Sequence, residues 1–250
     1  MKKVKILAFI VLLTTFFSSM SACVQITVNT TSDESSAPSI SNTPEKQEST
    51  SSETGKNVTS ELPHTVPNGY TIPDTNMTIS VPEDAVVLSV DTPAGDAAWS
   101  KAGILDASEK IKEMQKNGTT AEIVAANGDT IAVAAKSSDY ANSVFNLNNL
   151  DEKGKKDFLK YMEPSSMDGS TTGTITWYDH TQIPFFMIDL CAENIKEEGP
   201  VYERLYGTLY DGKIVSFDLF GDTKQISEET DAFMRAVVDS AVISAFAENP

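Results

Sequence analysis

Apolar and polar residues change rhythm several times along this chain, and each rhythm predicts a different element. Lys2, Lys3 and Lys5 precede an apolar stretch from Ile6 to Phe17. Its roughly 12 positions fall well short of the ~20 a membrane-spanning helix needs, so residues 1–22 read as a secretory signal. From Val24 to Leu62 the apolar residues thin out: 16 of 39 are Ser or Thr, and none is Phe, Trp or Tyr. Such a stretch buries too little apolar area to offset the entropy of ordering, so residues 23–65 are expected to form a disordered linker.

Regular periodicity begins near residue 66 and continues without a Pro/Gly/Ser-rich break, which predicts a single domain over 66–250. Ile72, Met77, Ile79 and Val81, then Val86, Val87 and Leu88, fit short strands. Ile104, Ala107, Ile111 and Met114 have helical spacing. Asp106 and Glu109 form a capping box ahead of that helix, and Asn117-Gly118 supplies its stop. Residues 122–126 and 129–133 flank Asn127-Gly128, a pair suited to a tight I′ hairpin turn. Their small or apolar residues on both faces predict a position inside a sheet covered on two sides. A helix from Leu150 to Met162 would turn Phe158, Tyr161 and Met162 inward, ending where Pro164 restricts Glu163.

Four more strands are expected near 174–178, 183–191, 201–210 and 213–220, the last two joined at Asp211-Gly212. A helix over Glu228–Ala245, capped by Ser227, carries Phe233, Val237, Ala241 and Val242 as its apolar stripe. Strands, helix, hairpin, helix, meander, helix is the order of an α+β domain: an antiparallel sheet with helices packed on it. Two segments sharpen this. Tyr70 to Asp84 (YTIPDTNMTISVPED) resembles the first hairpin of the PsbP/DcrB-like α/β/α sandwich family, and Phe233 to Phe246 is similar to its last helix. The resemblance implies a binding or accessory role with no shared active site and no catalytic residues to carry over.

The signal ends in Met20-Ser21-Ala22-Cys23, which resembles a bacterial lipobox; ordinary cleavage without a lipid is the alternative. On that resemblance Cys23 would carry a thioether-linked diacylglycerol and anchor the protein to the extracytoplasmic face of the cell membrane. A flexible linker of this length spans about 30–35 Å. That reach suits a thick wall, as in a Gram-positive bacterium. With Cys23 lipidated, Cys191 is left as a lone thiol. The whole chain has 36 acidic and 19 basic residues, a net charge of -17. From Pro63 onward there are 30 acidic and 14 basic residues, so the acidity belongs to the domain. It disfavours nucleic acid as a partner.

Chemistry is sparse. No phosphate-binding loop or nucleophile elbow is present, and no cofactor or metal motif was found. His180 beside Asp179 is a possible base for Cys191, although an exposed turn histidine and a buried thiol are the plainer reading. His64 lies at the end of the linker. Carboxylates cluster at Asp91 and Asp96, at Glu197 and Glu198, at Asp218 and Asp222, and at Glu228, Glu229 and Asp231. Solvated surface is the expectation for each, with the last three complementing a helix dipole. The candidate binding face is Tyr202, Arg204, Tyr206 and Tyr210, which share one side of a strand. Tyr and Arg dominate binding hot spots, but the same rings also suit a core beneath a helix. The function expected is a non-catalytic, membrane-anchored binding or accessory module for a protein or envelope partner. A small solute-binding lipoprotein of a transporter and a carboxylate-dependent hydrolase are the alternatives.

Overall fold

The computed structural model describes residues 68–163, 171–180, 182–192, 201–221 and 225–243. The signal segment 1–22, Cys23, the linker, His64, Glu197, Glu198, Asp222 and Phe246 lie outside the described residues. Ten strands and five helices are described. The strands are β1 (Gly69–Thr71), β2 (Met77–Ser80), β3 (Val86–Ser89), β4 (Ala121–Val124), β5 (Thr130–Ser137), β6 (Thr171–Tyr178), β7 (Phe185–Ala192), β8 (Val201–Tyr210), β9 (Lys213–Gly221) and β10 (Val242–Ile243). The helices are α1 (Ala97–Lys101), α2 (Ala107–Asn117), α3 (Asp139–Val144), α4 (Glu152–Met162) and α5 (Glu228–Asp239). The fold class is α+β. Seven antiparallel strands form one sheet in the order β3-β4-β5-β9-β8-β7-β6, and β1-β2-β10 form a second, smaller one.

Local chemistry places most of these elements. The Asp106 carboxylate accepts from the Glu109 amide at 2.9 Å to cap α2, and Gly118 ends that helix at φ 67°. Ser227 caps α5 through the Thr230 amide at 3.1 Å. At Asp211-Gly212 both residues have positive φ, 52° and 69°, which is the I′ geometry that joins β8 and β9 in two residues. The Asn127-Gly128 turn differs from expectation. Only Gly128 has positive φ, and the Gly128 amide reaches Ala125 O at 2.9 Å. The result is a three-residue loop with a glycine bulge, held by Asn127 Oδ1 accepting from the Asp129 amide at 3.0 Å.

Two further expectations are corrected. The last helix stops at Asp239, not Ala245. Ser240 Oγ donates to Val237 O at 2.6 Å and accepts from the Ser80 amide at 2.8 Å, turning the chain. The β-branched pair Val242 and Ile243 then adds to β2 as β10. On α4, Phe158 and Met162 face inward, one turn apart, whereas Tyr161 is 38% exposed. The short helices α1 and α3 had no periodic signal. Asp96 and Ser138 cap them, and Trp99 of α1 is buried.

The strand register assigns side chains to the two faces of the large sheet. The first face carries Ile123, Ile131, Val133, Phe185, Tyr206, Phe217 and Leu219, packed with Met234 and Val237 of α5 and with Ile72, Met77 and Ile79. Toward β6 the second face carries Phe186, Ile188, Leu190, Leu205 and Leu209 beneath Phe158 and Met162 of α4. Toward β3 it carries Leu88 and Val124 beneath Trp99 and Met114 of α1 and α2. Between those two patches, on β4, β5, β8 and β9, the second face turns polar.

Candidate functional site

Strand alternation places Tyr202, Arg204, Tyr206 and Tyr210 on the first face, as their spacing requires. Residues on β9 oppose them in the expected register, Tyr206 against Phe217 and Arg204 against Leu219. An open binding face does not result, because α5 lies on it. Tyr206 is 1% exposed and meets the Tyr178 ring edge-on at 4.8 Å. Tyr202 is buried, and Tyr210 packs half-buried against the same core. Burial and the nearby Asp189 raise the Tyr202 hydroxyl to about 12. Tyr206 is raised to about 12 by burial and by Asp231. Neither is a base at neutral pH.

The Arg204 guanidinium is fully engaged inside the molecule. Its Nε donates to Asp189 Oδ1 at 2.7 Å and its Nη2 to Asp189 Oδ2 at 2.9 Å, a bidentate pair. Nη1 donates to Asp231 Oδ1 on α5, and Nη2 also reaches the Tyr202 hydroxyl at 3.2 Å. Arg235 closes the network on Asp231 Oδ2 at 2.7 Å. The Tyr178 hydroxyl donates to Asp239 Oδ1 at 2.6 Å near the far end of α5. Arg204 and Arg235 pair with Asp189 and Asp231, so the arrangement clamps a helix to a sheet. Of the acidic trio at the start of α5, Asp231 is therefore a structural partner.

The proposed Cys191–His180 pair is separated by the fold. His180 follows the end of β6 whose Tyr178 pairs with Phe185, whereas Cys191 lies six residues further along β7, beside Thr172. At the strand rise that is about 20 Å. The His180 Nδ1 accepts from the Gln182 and Ile183 amides at 3.2 and 3.3 Å, and its ring sits edge-on to Phe185. It staples a turn. Cys191 is a half-buried free thiol opposite Tyr202. Asp96 caps α1.

A second polar cluster was not anticipated as a unit: Glu122, Lys136, Glu203, Ser216 and Asp218 share the second face. Lys110 of α2 holds Glu122 at 2.8 Å, and burial still raises that carboxyl. Lys136 Nζ donates to Asn117 O at 2.9 Å, with its charge disfavoured by burial. Its stem crosses Gly118 so closely that a Cβ there would lie 2.5 Å from Lys136 Cε. Deeper in, Glu203 is 0% exposed and neither carboxylate oxygen has a hydrogen-bond partner among the described residues. Asp218 Oδ2 accepts from Ser216 Oγ at 3.0 Å, while Oδ1 has no partner. Desolvation raises Asp218 to about 7, opposed by Ser216 and Lys136. Burial, reinforced by Asp218, pushes Glu203 well above the carboxylate range. Fully buried unpaired carboxylates are rare and costly, and titratable groups perturbed this way mark functional-site candidates. A sequence signal did exist: Glu203 is the lone charge on a strand side otherwise made of Leu205, Gly207 and Leu209.

Elsewhere, a hollow of about 420 Å³ is lined by Asp84, Val86, Lys101, Val124 and Asn127 among others. Among the described residues, no helix is long and apolar enough to cross a membrane. No family model matches the chain, and no curated protein matches it. A crystal structure from Bacteroides thetaiotaomicron is a distant structural match, with 13% identity and a TM-score of 0.33. The alignment covers 70% of this chain and 47% of that one, so this chain matches about half of that protein's length.

Proposed function

We propose that this protein is a membrane-anchored extracytoplasmic lipoprotein whose α+β domain is a non-catalytic binding or accessory module for a protein or envelope partner. The observation that carries the reading is Cys23, placed directly after Met20-Ser21-Ala22 at the end of a short apolar signal. The PsbP/DcrB-like α/β/α sandwich belongs to the same proposal. In its support, α5 lies on one face of the seven-stranded sheet and the other four helices lie on the opposite face. Separation of His180 from Cys191 weakens the thiol-hydrolase alternative. Complete burial of Glu203 weakens the carboxylate one, since glycoside hydrolysis needs a sugar seated between two carboxyls. The partner surface lies away from Tyr202, Arg204 and Tyr206, because α5 already occupies that face. Fractionation tests the anchor: Cys23→Ala should move the protein from the membrane to the soluble or secreted fraction. Membrane retention of the processed variant at the wild-type level overturns the reading.

A further inference from the structure

Among the described residues, three carboxylate oxygens are buried together on the second face of the sheet without a donor. The register pairs Glu203 with Phe220 and Leu205 with Asp218, so the two acids are diagonal neighbours on β8 and β9, pointing the same way. Diagonal positions on adjacent strands lie about 7–8 Å apart, within the combined reach of a glutamate and an aspartate. Both oxygens of Glu203 and one of Asp218 have no partner, and Glu203 is completely buried. Among the described residues the nearby lysines make their bonds elsewhere, Lys136 to Asn117 O and Lys110 to Glu122, and Lys136 acts on Asp218 only through space.

From this geometry we infer that Glu203 and Asp218 hold a hard divalent cation of the calcium or magnesium class, with Ser216 Oγ beside it. One such ion neutralises the pair and occupies all three orphaned oxygens. A proton shared between the two carboxyls would pair only two of the three oxygens and leave the other oxygen of Glu203 without a donor. The ligands are all oxygen, which selects hard ions over zinc or copper. Two carboxylates and a hydroxyl are too few for a closed cage, so water or main-chain oxygens complete the shell. The site is independent of the anchor at Cys23 and would persist in Cys23→Ala.

Thermal unfolding of the purified full chain tests this, first in chelator at pH 7.5 and then with Ca²⁺, Mg²⁺ or Mn²⁺. A site at 100 times its dissociation constant should raise Tm by about 5 °C or more. Glu203→Gln and Asp218→Asn should each abolish the rise while their Tm in chelator equals or exceeds that of the wild type. Calorimetric titration of the wild type should give one site per chain, and absence of any heat or Tm response overturns the proposal. Retention of the full response by Glu203→Gln also overturns it, assigning binding to the acidic surface. A wild type that ignores cations but loses stability as pH rises, with that loss reduced in Glu203→Gln, assigns the pair to protons alone and overturns it equally.

Discussion

Glu203 and Arg204 are consecutive residues on β8, yet the sheet sends them to opposite faces and opposite fates. Arg204 meets Asp189, Asp231 and Tyr202 in a network where charges balance and the guanidinium is bidentate. Glu203, one residue earlier, is more deeply buried and meets no donor among the described residues. Burial is thus not what separates the two groups; partners are. A satisfied charge network on the first face positions α5, and it is the part of the molecule that structure alone explains. An unsatisfied pair on the second face holds free energy that folding has not recovered, and such a group points to something the domain binds or exchanges.

Removing Arg204 should give the largest effect. Arg204→Ala leaves half-buried Asp189 without a counter-charge and Asp231 with Arg235 alone. Breaking one partner of a buried pair costs about 3–5 kcal/mol, and the modest exposure of this one places it at the lower end. A Tm drop of roughly 6–12 °C should follow, measured by circular dichroism. A change of less than 1 kcal/mol would show that α5 is seated by Met234, Val237 and Val238 alone and would erase the contrast between the two clusters.

The sequence makes one half of this contrast legible and hides the other. Alternation along 201–210 and the Asp211-Gly212 turn are local, so they set which residues share a face and that Tyr206 opposes Phe217. Which face receives a helix is a long-range fact: α5 arrives from residues 228–239 and covers the tyrosines, turning a candidate binding surface into core. Cap residues Asp106 and Ser227 were readable because each bonds an amide three residues away. The end of α5 was not, since its stop depends on the Ser80 amide 160 residues distant. Glu203 and Asp218 are 15 positions apart in sequence, and only strand pairing makes them neighbours. Sequence proximity had pointed instead to Asp218 with Asp222.

Titration separates the clusters next. On the second face, Asp218 faces Ser216 on its own strand, Lys136 of β5 and Glu203 of β8, with Glu122 of β4 and Lys110 of α2 beyond. Its folded value near 7 lies above the unfolded carboxylate value near 4. Stability from the neutral acid is therefore complete below about pH 4 and is lost as pH rises through 7. Without divalent cations, the wild type should lose about 2–4 kcal/mol between pH 4 and 8, read from urea midpoints. Asp218→Asn should flatten part of that slope, with Glu203 carrying the rest. A slope unchanged in Asp218→Asn would move the titration to another group.

The smallest effect isolates a single hydrogen bond. Ser216 Oγ donates to Asp218 Oδ2 at 3.0 Å and favours its charged form more strongly than Lys136 does. Ser216→Ala removes that donor while the apolar surroundings remain, so the charged form of Asp218 loses support and the neutral form does not. A hydrogen bond to a charged acceptor contributes about 1.5–3 kcal/mol, and 1.36 kcal/mol corresponds to one pKa unit. The Asp218 titration followed by carbon NMR should thus move upward by about one unit. Overall stability at pH 5 should barely change, because both wild type and variant then hold Asp218 neutral. An unmoved titration would mean that Lys136 alone opposes the burial of Asp218. The two faces would then differ in the number of their charges rather than in how those charges are hydrogen-bonded.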